Sequence, residues 1–394
     1  MRKALLLAAC CAALASPSYA APDYAPAITA DYDKSLGTLW DYFHRNPELS
    51  FREFNTAARM AKELRAVSGM VVTEKVGGTG VVGVLKNGDG PVILLRADMD
   101  GLPVEERSGL PNSSKARQVG VDGVENPVMH ACGHDVHITS MVATARQLAA
   151  LKDRWKGTVL FIVQPAEERV GGAAAMLKDG LYTRFPKPDY ALAFHVAAEL
   201  PTGKIAASET IQYSSADSVD IKVYGVGTHG AAPHLGRSAL DAVELMNVGV
   251  NYMREHMPSD ARIHYAYLDA GGIAPNVVQG TAKVRYLIRA RDLVELNGLV
   301  TRVRKIADGA ALMTETSVST KVVSAVSNLM GNTPLEKAMF DNFQRLGPPQ
   351  FDDEDRRYAR EIQATLKAED IVSAFRRHGL AAEMDLPLCN KIVP

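Results

Sequence analysis

The chain has 394 residues, 47% of them hydrophobic and 23% charged, with a formal net charge of −1 at pH 7. These are the proportions of a soluble globular protein long enough for two cored domains. The near-neutral balance gives no electrostatic case for nucleic acid or an anionic membrane as a partner, and no basic run, low-complexity tract or repeat stands out.

Residues 1–20 differ from the rest. Arg2 and Lys3 precede the apolar run Ala4 to Leu14, and Ser18-Tyr19-Ala20 offers small residues around a cut. That is the pattern of a secretory signal peptide, too short and wrongly flanked to span a membrane. Cleavage is expected after Ala20, with export to a bacterial periplasm. Leu7-Ala8-Ala9-Cys10 resembles a lipoprotein cleavage box, so an anchor at Cys10 stands as the alternative. Once Cys10 and Cys11 leave with the signal, only Cys132 and Cys389 remain, which excludes a disulfide framework. Two readings stay open for them: a single bridge, or a metal-bound thiolate at Cys132, which its neighbours favour.

Residues 30–68 read as helical. Leu36, Leu39, Trp40 and Phe43 recur at helical spacing, and Ala57 to Leu64 repeats the pattern after the break at Asn46-Pro47. The turn Gly77-Gly78-Thr79-Gly80 leads to a short apolar strand, Val81 to Leu85. Three further runs share one grammar. Val92 to Leu95 turns polar at Arg96, Asp98 and Asp100; Val159 to Val163 ends in Gln164-Pro165-Ala166-Glu167-Glu168; Ala191 to Phe194 ends in His195. Such runs suit strands buried on both faces, and an open α/β sheet places its site just past their carboxyl ends. Asp135 to Leu151 supplies a helix between them. From Ser215 the rhythm becomes β-α-β-β-α-β, with strands from Asp217, Ile263, Ala282 and Ser317 and helices from Ser238 and Leu293, as in a ferredoxin-like module. Two more helices follow, Thr333 to Leu346 and Asp353 to Lys367.

The densest chemistry lies in Met129-His130-Ala131-Cys132-Gly133-His134-Asp135-Val136-His137. Imidazole and thiolate both bind zinc-like ions, yet no finger spacing is present. Alone, the stretch reads as a His-rich turn. Likewise, Glu167-Glu168 alone reads as solvated charge and His195 as a satisfied core group. Together they offer nitrogen, sulfur and carboxylate donors, a set suited to zinc, manganese or cobalt rather than calcium.

Arg96 to Pro103, Met129 to His137, Gln164 to Glu168 and Phe194-His195 closely resemble the M20 metallopeptidase group, in its amidohydrolase branch of hippurate hydrolases and N-acyl-amino-acid aminoacylases. The module from Ser215 resembles that group's inserted lid, and Pro233 to Ala242, Gly271 to Gln279, Tyr286 to Arg289 and Ile306 to Glu315 are similar to its aminobenzoyl-glutamate hydrolase type. The resemblance implies an α/β fold: a mixed-sheet, zinc-peptidase-like catalytic domain over 21–214 and 327–394, with the βαββαβ lid inserted at 215–326. It implies two divalent ions per chain, with Cys132, His134, Glu168 and His195 as ligands. Glu167 would be the general base for a metal-held water. His229 would stabilise the oxyanion in a partner's site, and Asn276 and Arg289 would hold the substrate carboxylate. Asp100 either orients a ligand or is a turn carboxylate. The implied reaction is hydrolysis of the amide of an N-acyl amino acid, by a homodimer joined through the lid or by a hetero-oligomer. A dipeptidase or carboxypeptidase of the same group is the alternative.

Relatives of this group continue past the point matching Pro394, through a further histidine ligand. Here the only histidine after His264 is His378, in a basic helical stretch without ligand context. The chain is therefore expected to be C-terminally truncated. That keeps a catalytically degenerate binding protein as the rival from another class.

Overall fold

The structure is a computed structural model that describes residues 24–196, 215–348, 350–377 and, near the end, 381, 382, 384, 387 and 388. The expected signal peptide lies outside these residues, as do His378 and Cys389. No described helix is long and apolar enough to cross a membrane.

The chain opens with α1 (Ala25–Asp31), which runs through a π turn into α2 (Gly37–Arg45), and then α3 (Phe54–Arg65). Pro47 disfavours helix at the residue before it, and α2 stops there. The N-terminus of α3 is held by Glu48, whose carboxylate accepts the backbone N–H groups of Asn55 (3.2 Å) and Thr56 (2.7 Å). Thr56, Ala57, Met60, Ala61 and Leu64 form its buried stripe.

The strands β1 (Met70–Val76), β2 (Gly80–Asn87) and β3 (Val92–Asp98) come next, followed by a small hairpin of β4 (Arg117–Val119) and β5 (Glu125–Pro127). After α4 (His134–Ala150) the chain forms β6 (Gly157–Gln164), α5 (Gly172–Lys178), α6 (Leu181–Arg184) and β7 (Tyr190–Ala193). The mixed sheet has the order β1-β2-β6-β3-β7. β2 runs antiparallel to β1 and β6, while β3 is parallel to both β6 and β7. Alternation along β6 explains its continuous apolar run. Val159, Phe161 and Val163 pack with α3 and α4 on one face, and Leu160 and Ile162 with Met176 and Leu181 on the other. β7 departs from the expectation of a strand buried on both faces. Among the described residues it pairs only with β3, and only Leu192 is half-buried.

The inserted unit comprises β8 (Ser215–Tyr224), β9 (Thr228–His229), α7 (Ala239–Met253), β10 (Arg262–Asp269), β11 (Val277–Val278), β12 (Thr281–Ala290), α8 (Leu293–Met313) and β13 (Ser317–Val326). Its antiparallel sheet runs β10-β12-β8-β13, the ferredoxin-like order, with β9 and β11 as a separate pair. β12 points Ala282, Val284, Tyr286, Ile288 and Ala290 into a core shared with α7 and α8. Both helices begin with side-chain caps: Ser238 accepts from the N–H of Asp241 and Asp292 from that of Glu295. This core shares no residue with those of the first sheet. The helices α9 (Thr333–Leu346), α10 (Asp353–Gln363) and α11 (Ala368–Arg377) follow, the first two with no buried residue.

Candidate metal centre

The parallel strands β3, β6 and β7 end together, and their carboxyl ends carry the polar residues. Asp98 closes β3 and Asp100 follows; Glu167 and Glu168 lie just past β6, and His195 just past β7. Facing them is the start of α4, entered through Gly133 in a left-handed conformation (φ 77°). A Cβ on Gly133 would lie 2.2 Å from the Val196 side chain. Only glycine allows this turn to bring Cys132 and His134 against His195.

All four ligands expected from the sequence meet here. Cys132 Sγ lies 3.4 Å from His195 Nε2, and His134 Nε2 lies 3.8 Å from Glu168 Oε1. Two groups of donor atoms each fit within 4.8 Å: Cys132, His134 and Glu168, and Asp98, His134, His137 and His195. His134 belongs to both.

Asp98 and His137 were given no role by the sequence, and their partners define one. His137 Nδ1 lies 2.6 Å from Asp98 Oδ1, and its Nε2 accepts the N–H of Val196 at 3.0 Å. That pattern assigns a neutral ring that donates from Nδ1. The other Asp98 oxygen is paired with Arg96 Nη1 at 2.7 Å. His137 and Asp98 Oδ1 thus hold the chain beside His195, as outer partners of ligands do, while Asp98 Oδ2 has its ion pair with Arg96 and no hydrogen bond. Both ring nitrogens of His134 and Oε1 of Glu168 are likewise buried with no hydrogen-bond partner. Leaving such atoms unsatisfied costs about 1–3 kcal/mol each. A divalent cation among Cys132, His134, Glu168 and His195 would satisfy His134 Nε2 and Glu168 Oε1, while His134 Nδ1 faces Asp100, so the donor set fits a metal.

The electrostatics agree. Burial opposes charge on Asp98, but the His137 hydrogen bond and the Arg96 charge outweigh it and hold the carboxyl well below its usual range. Burial also opposes charge on His134; Asp100, Asp98 and Glu168 overcome it and raise the imidazole. Burial and the Glu168 carboxylate push the Cys132 thiol up to about 12. That is an electronegative pocket, which a bound cation would reverse by stabilising the thiolate. Glu167 is half-buried, and burial together with Glu168 raises its carboxyl, the direction that suits a group exchanging protons near neutrality. Asp100 accepts the N–H groups of Glu167 (3.0 Å) and Glu168 (3.1 Å) and lies 3.5 Å from His134 Nδ1, so it orients this turn.

The inserted unit places its expected residues apart from this cluster. His229 on β9 pairs with Val277 on β11, and the N–H of Gly230 donates to the carbonyl of Asn276 at 2.7 Å, so His229 and Asn276 are neighbours. Arg289 is exposed on β12. Among the described residues, no hydrogen bond or ion pair joins these three side chains to the cluster.

Residues 94–375 match Peptidase_M20, the Peptidase family M20/M25/M40. The chain belongs to this family. It is 37% identical over 352 residues to one of the subunits of the p-aminobenzoyl-glutamate hydrolase of Escherichia coli (strain K12), covering 87% of this chain and 69% of that one. It is 36% identical over 292 residues to a hippurate hydrolase of Campylobacter jejuni, covering 72% of each. Among solved structures, a dinuclear metal-binding peptidase of the M20 family from Bacillus subtilis superposes with a TM-score of 0.63 at 26% identity, over 81% of each chain. The M20 chain described here is accordingly a metal-dependent hydrolase of amide bonds.

Proposed function

We propose that this M20 chain cleaves the amide of N-acyl amino acids whose acyl group is aromatic, of the N-benzoylglycine and aminobenzoyl-glutamate kind. The observation that carries the reading is the cluster itself: unsatisfied donors of His134 and Glu168 beside Cys132 and His195, with Glu167 adjacent. The names of the hippurate and aminobenzoyl-glutamate relatives support the choice of substrate.

Cys132, His134, Glu168 and His195 would hold two divalent ions, zinc or manganese with cobalt as a substitute, which polarise the scissile carbonyl and acidify a water. Glu167 takes a proton from the attacking water and delivers it to the leaving amine. Burial, with the Glu168 charge beside it, raises its carboxyl, the direction a proton carrier needs. Asp100 holds Glu167 and Glu168 through their backbone N–H groups, and Asp98 with His137 steadies the segment carrying His195. His229 would donate to the oxyanion of the tetrahedral intermediate in a partner's site. Arg289 and Asn276 would hold the free carboxylate, which a guanidinium can grip at two points. A lid-to-lid homodimer would supply that geometry, and a hetero-oligomer could replace it. Export through the residue 1–20 signal completes the proposal.

The test is hydrolysis of N-benzoylglycine and aminobenzoyl-glutamate by the purified chain with zinc or manganese added. The expected result is a rate lost on chelation and restored by metal. Folded chain that releases no amine under any metal would sink the reading.

A further inference from the structure

Glu53 takes no part in the chemistry above, yet its carboxylate is completely buried and makes no ion pair among the described residues. Its Oε1 accepts two backbone N–H groups, from Phe51 at 2.9 Å and Ala166 at 2.8 Å, and its Oε2 accepts the Thr79 hydroxyl at 2.6 Å. Phe51 (φ 63°) and Ala166 (φ 47°) are both non-glycine residues in the left-handed region, a conformation that persists only where the surroundings enforce it. Ala166 directly precedes Glu167. The next two N–H groups, of Glu167 and Glu168, go to Asp100, whose Oδ2 also accepts the Ser50 hydroxyl at 2.6 Å. Three consecutive amides are thus held by two buried carboxylates, and residues 50–53 reach both arms of the grip.

Burying a carboxyl group is unfavourable, and burial raises that of Glu53. An apolar side chain would fill the same space without that cost. What it could not do is accept from Ala166. We propose that Glu53 is a positioning residue: it sets the left-handed turn at Ala166 and so aims Glu167 and Glu168 at the metal-type cluster. The inference rests on the roles proposed above for those two glutamates, and its test reads metal binding and amide exchange as well as turnover.

The experiment compares the full chain with Glu53→Leu, which removes the acceptors, and Glu53→Gln, which keeps an acceptor oxygen. In Glu53→Leu, zinc affinity measured by calorimetry is expected to fall by about 10–100-fold. Turnover of N-benzoylglycine should fall by about 10²-fold in kcat with KM unchanged. Hydrogen exchange over residues 165–169 should accelerate. Glu53→Gln should recover most of all three. If Glu53→Leu does not fold, Thr79→Val, which frees the carboxylate at its other end, should move exchange and affinity in the same direction by less. Wild-type affinity and exchange in a folded Glu53→Leu chain overturn the inference, and so does Glu53→Gln failing as badly as Glu53→Leu. A wild-type chain that cleaves nothing, but whose zinc affinity and exchange depend on Glu53, keeps the inference and removes the hydrolase reading instead.

Discussion

Asp98 links Arg96 to His137, and His137 links Asp98 to the backbone beside His195, so one carboxylate steadies a residue across the sheet from it. Asp98→Asn weakens both ends of that chain and is expected to lower zinc affinity by about 10–100-fold, read by titration with a chelating dye. Unchanged affinity would make the pair purely structural. Arg289→Ala should raise KM for a substrate bearing a free carboxylate and leave kcat nearly unchanged, because it removes a contact made equally in ground and transition states. A pH effect comes from His44, whose Nδ1 lies 2.8 Å from Asp135 and whose Nε2 lies 3.3 Å from Glu106. The Asp135 hydrogen bond, against burial, raises the His44 imidazole. A raised folded pKa contributes stability that is fully present below the unfolded value, about 6.5, and is lost as pH rises through the folded value. The melting-temperature gap between wild type and His44→Gln should therefore be widest below about pH 6.5 and narrow in the alkaline direction. A gap independent of pH would contradict this. The gathering of Cys132, His134, Glu168 and His195 was legible in the sequence, because metal-donor side chains are few in kind and here fall at two strand ends and a helix start. Glu53 and His137 were not, because their partners, the N–H groups of Ala166 and Val196 and the side chains of Thr79 and Asp98, come from segments distant in the chain.

Among the elements, β6 followed its pattern, a continuous apolar run giving a strand buried on both faces, and along β12 burial alternates, with Ala282, Val284, Tyr286, Ile288 and Ala290 inward. β7 did not. Its apolar letters match those of β6, but it lies at the sheet edge among the described residues, and exposure depends on neighbours rather than on the strand's own composition. The start of α4 was legible only in part. The sequence marks a glycine, while the approach of Val196 that demands one comes from a segment distant in the chain, in a fold that must be known first. Gly133→Ala is expected to cost stability and to loosen metal binding, since the new Cβ must push the chain after His195 outward. Calorimetric melting with and without zinc reads both. In the inserted unit, Ser238→Ala removes the cap of α7 and should cost about 1 kcal/mol with zinc affinity unchanged, measured by denaturant unfolding.

At the scale of the whole molecule, the two units have separate cores, and among the described residues the second opens with β8 at Ser215. The β-α-β-β-α-β order was readable because each element announces its own period, and the ferredoxin-like strand order then follows from short, right-handed connections. Among the described residues no hydrogen bond or ion pair joins His229 or Arg289 to the metal-type cluster, and the oxyanion role proposed for His229 places it in a partner's site. If the lid joins two copies, light scattering should give twice the chain mass, and His229→Ala should depress kcat while the metal content stays full. The proposed mechanism needs Glu167 as the proton carrier beside a metal centre held by its neighbours. The decisive measurement is turnover of N-benzoylglycine together with metal content in Glu167→Gln. Turnover reduced by about 10²-fold or more with metal content equal to wild type is the result expected of a lost general base. Retained turnover, or loss of the metal along with the activity, would contradict it.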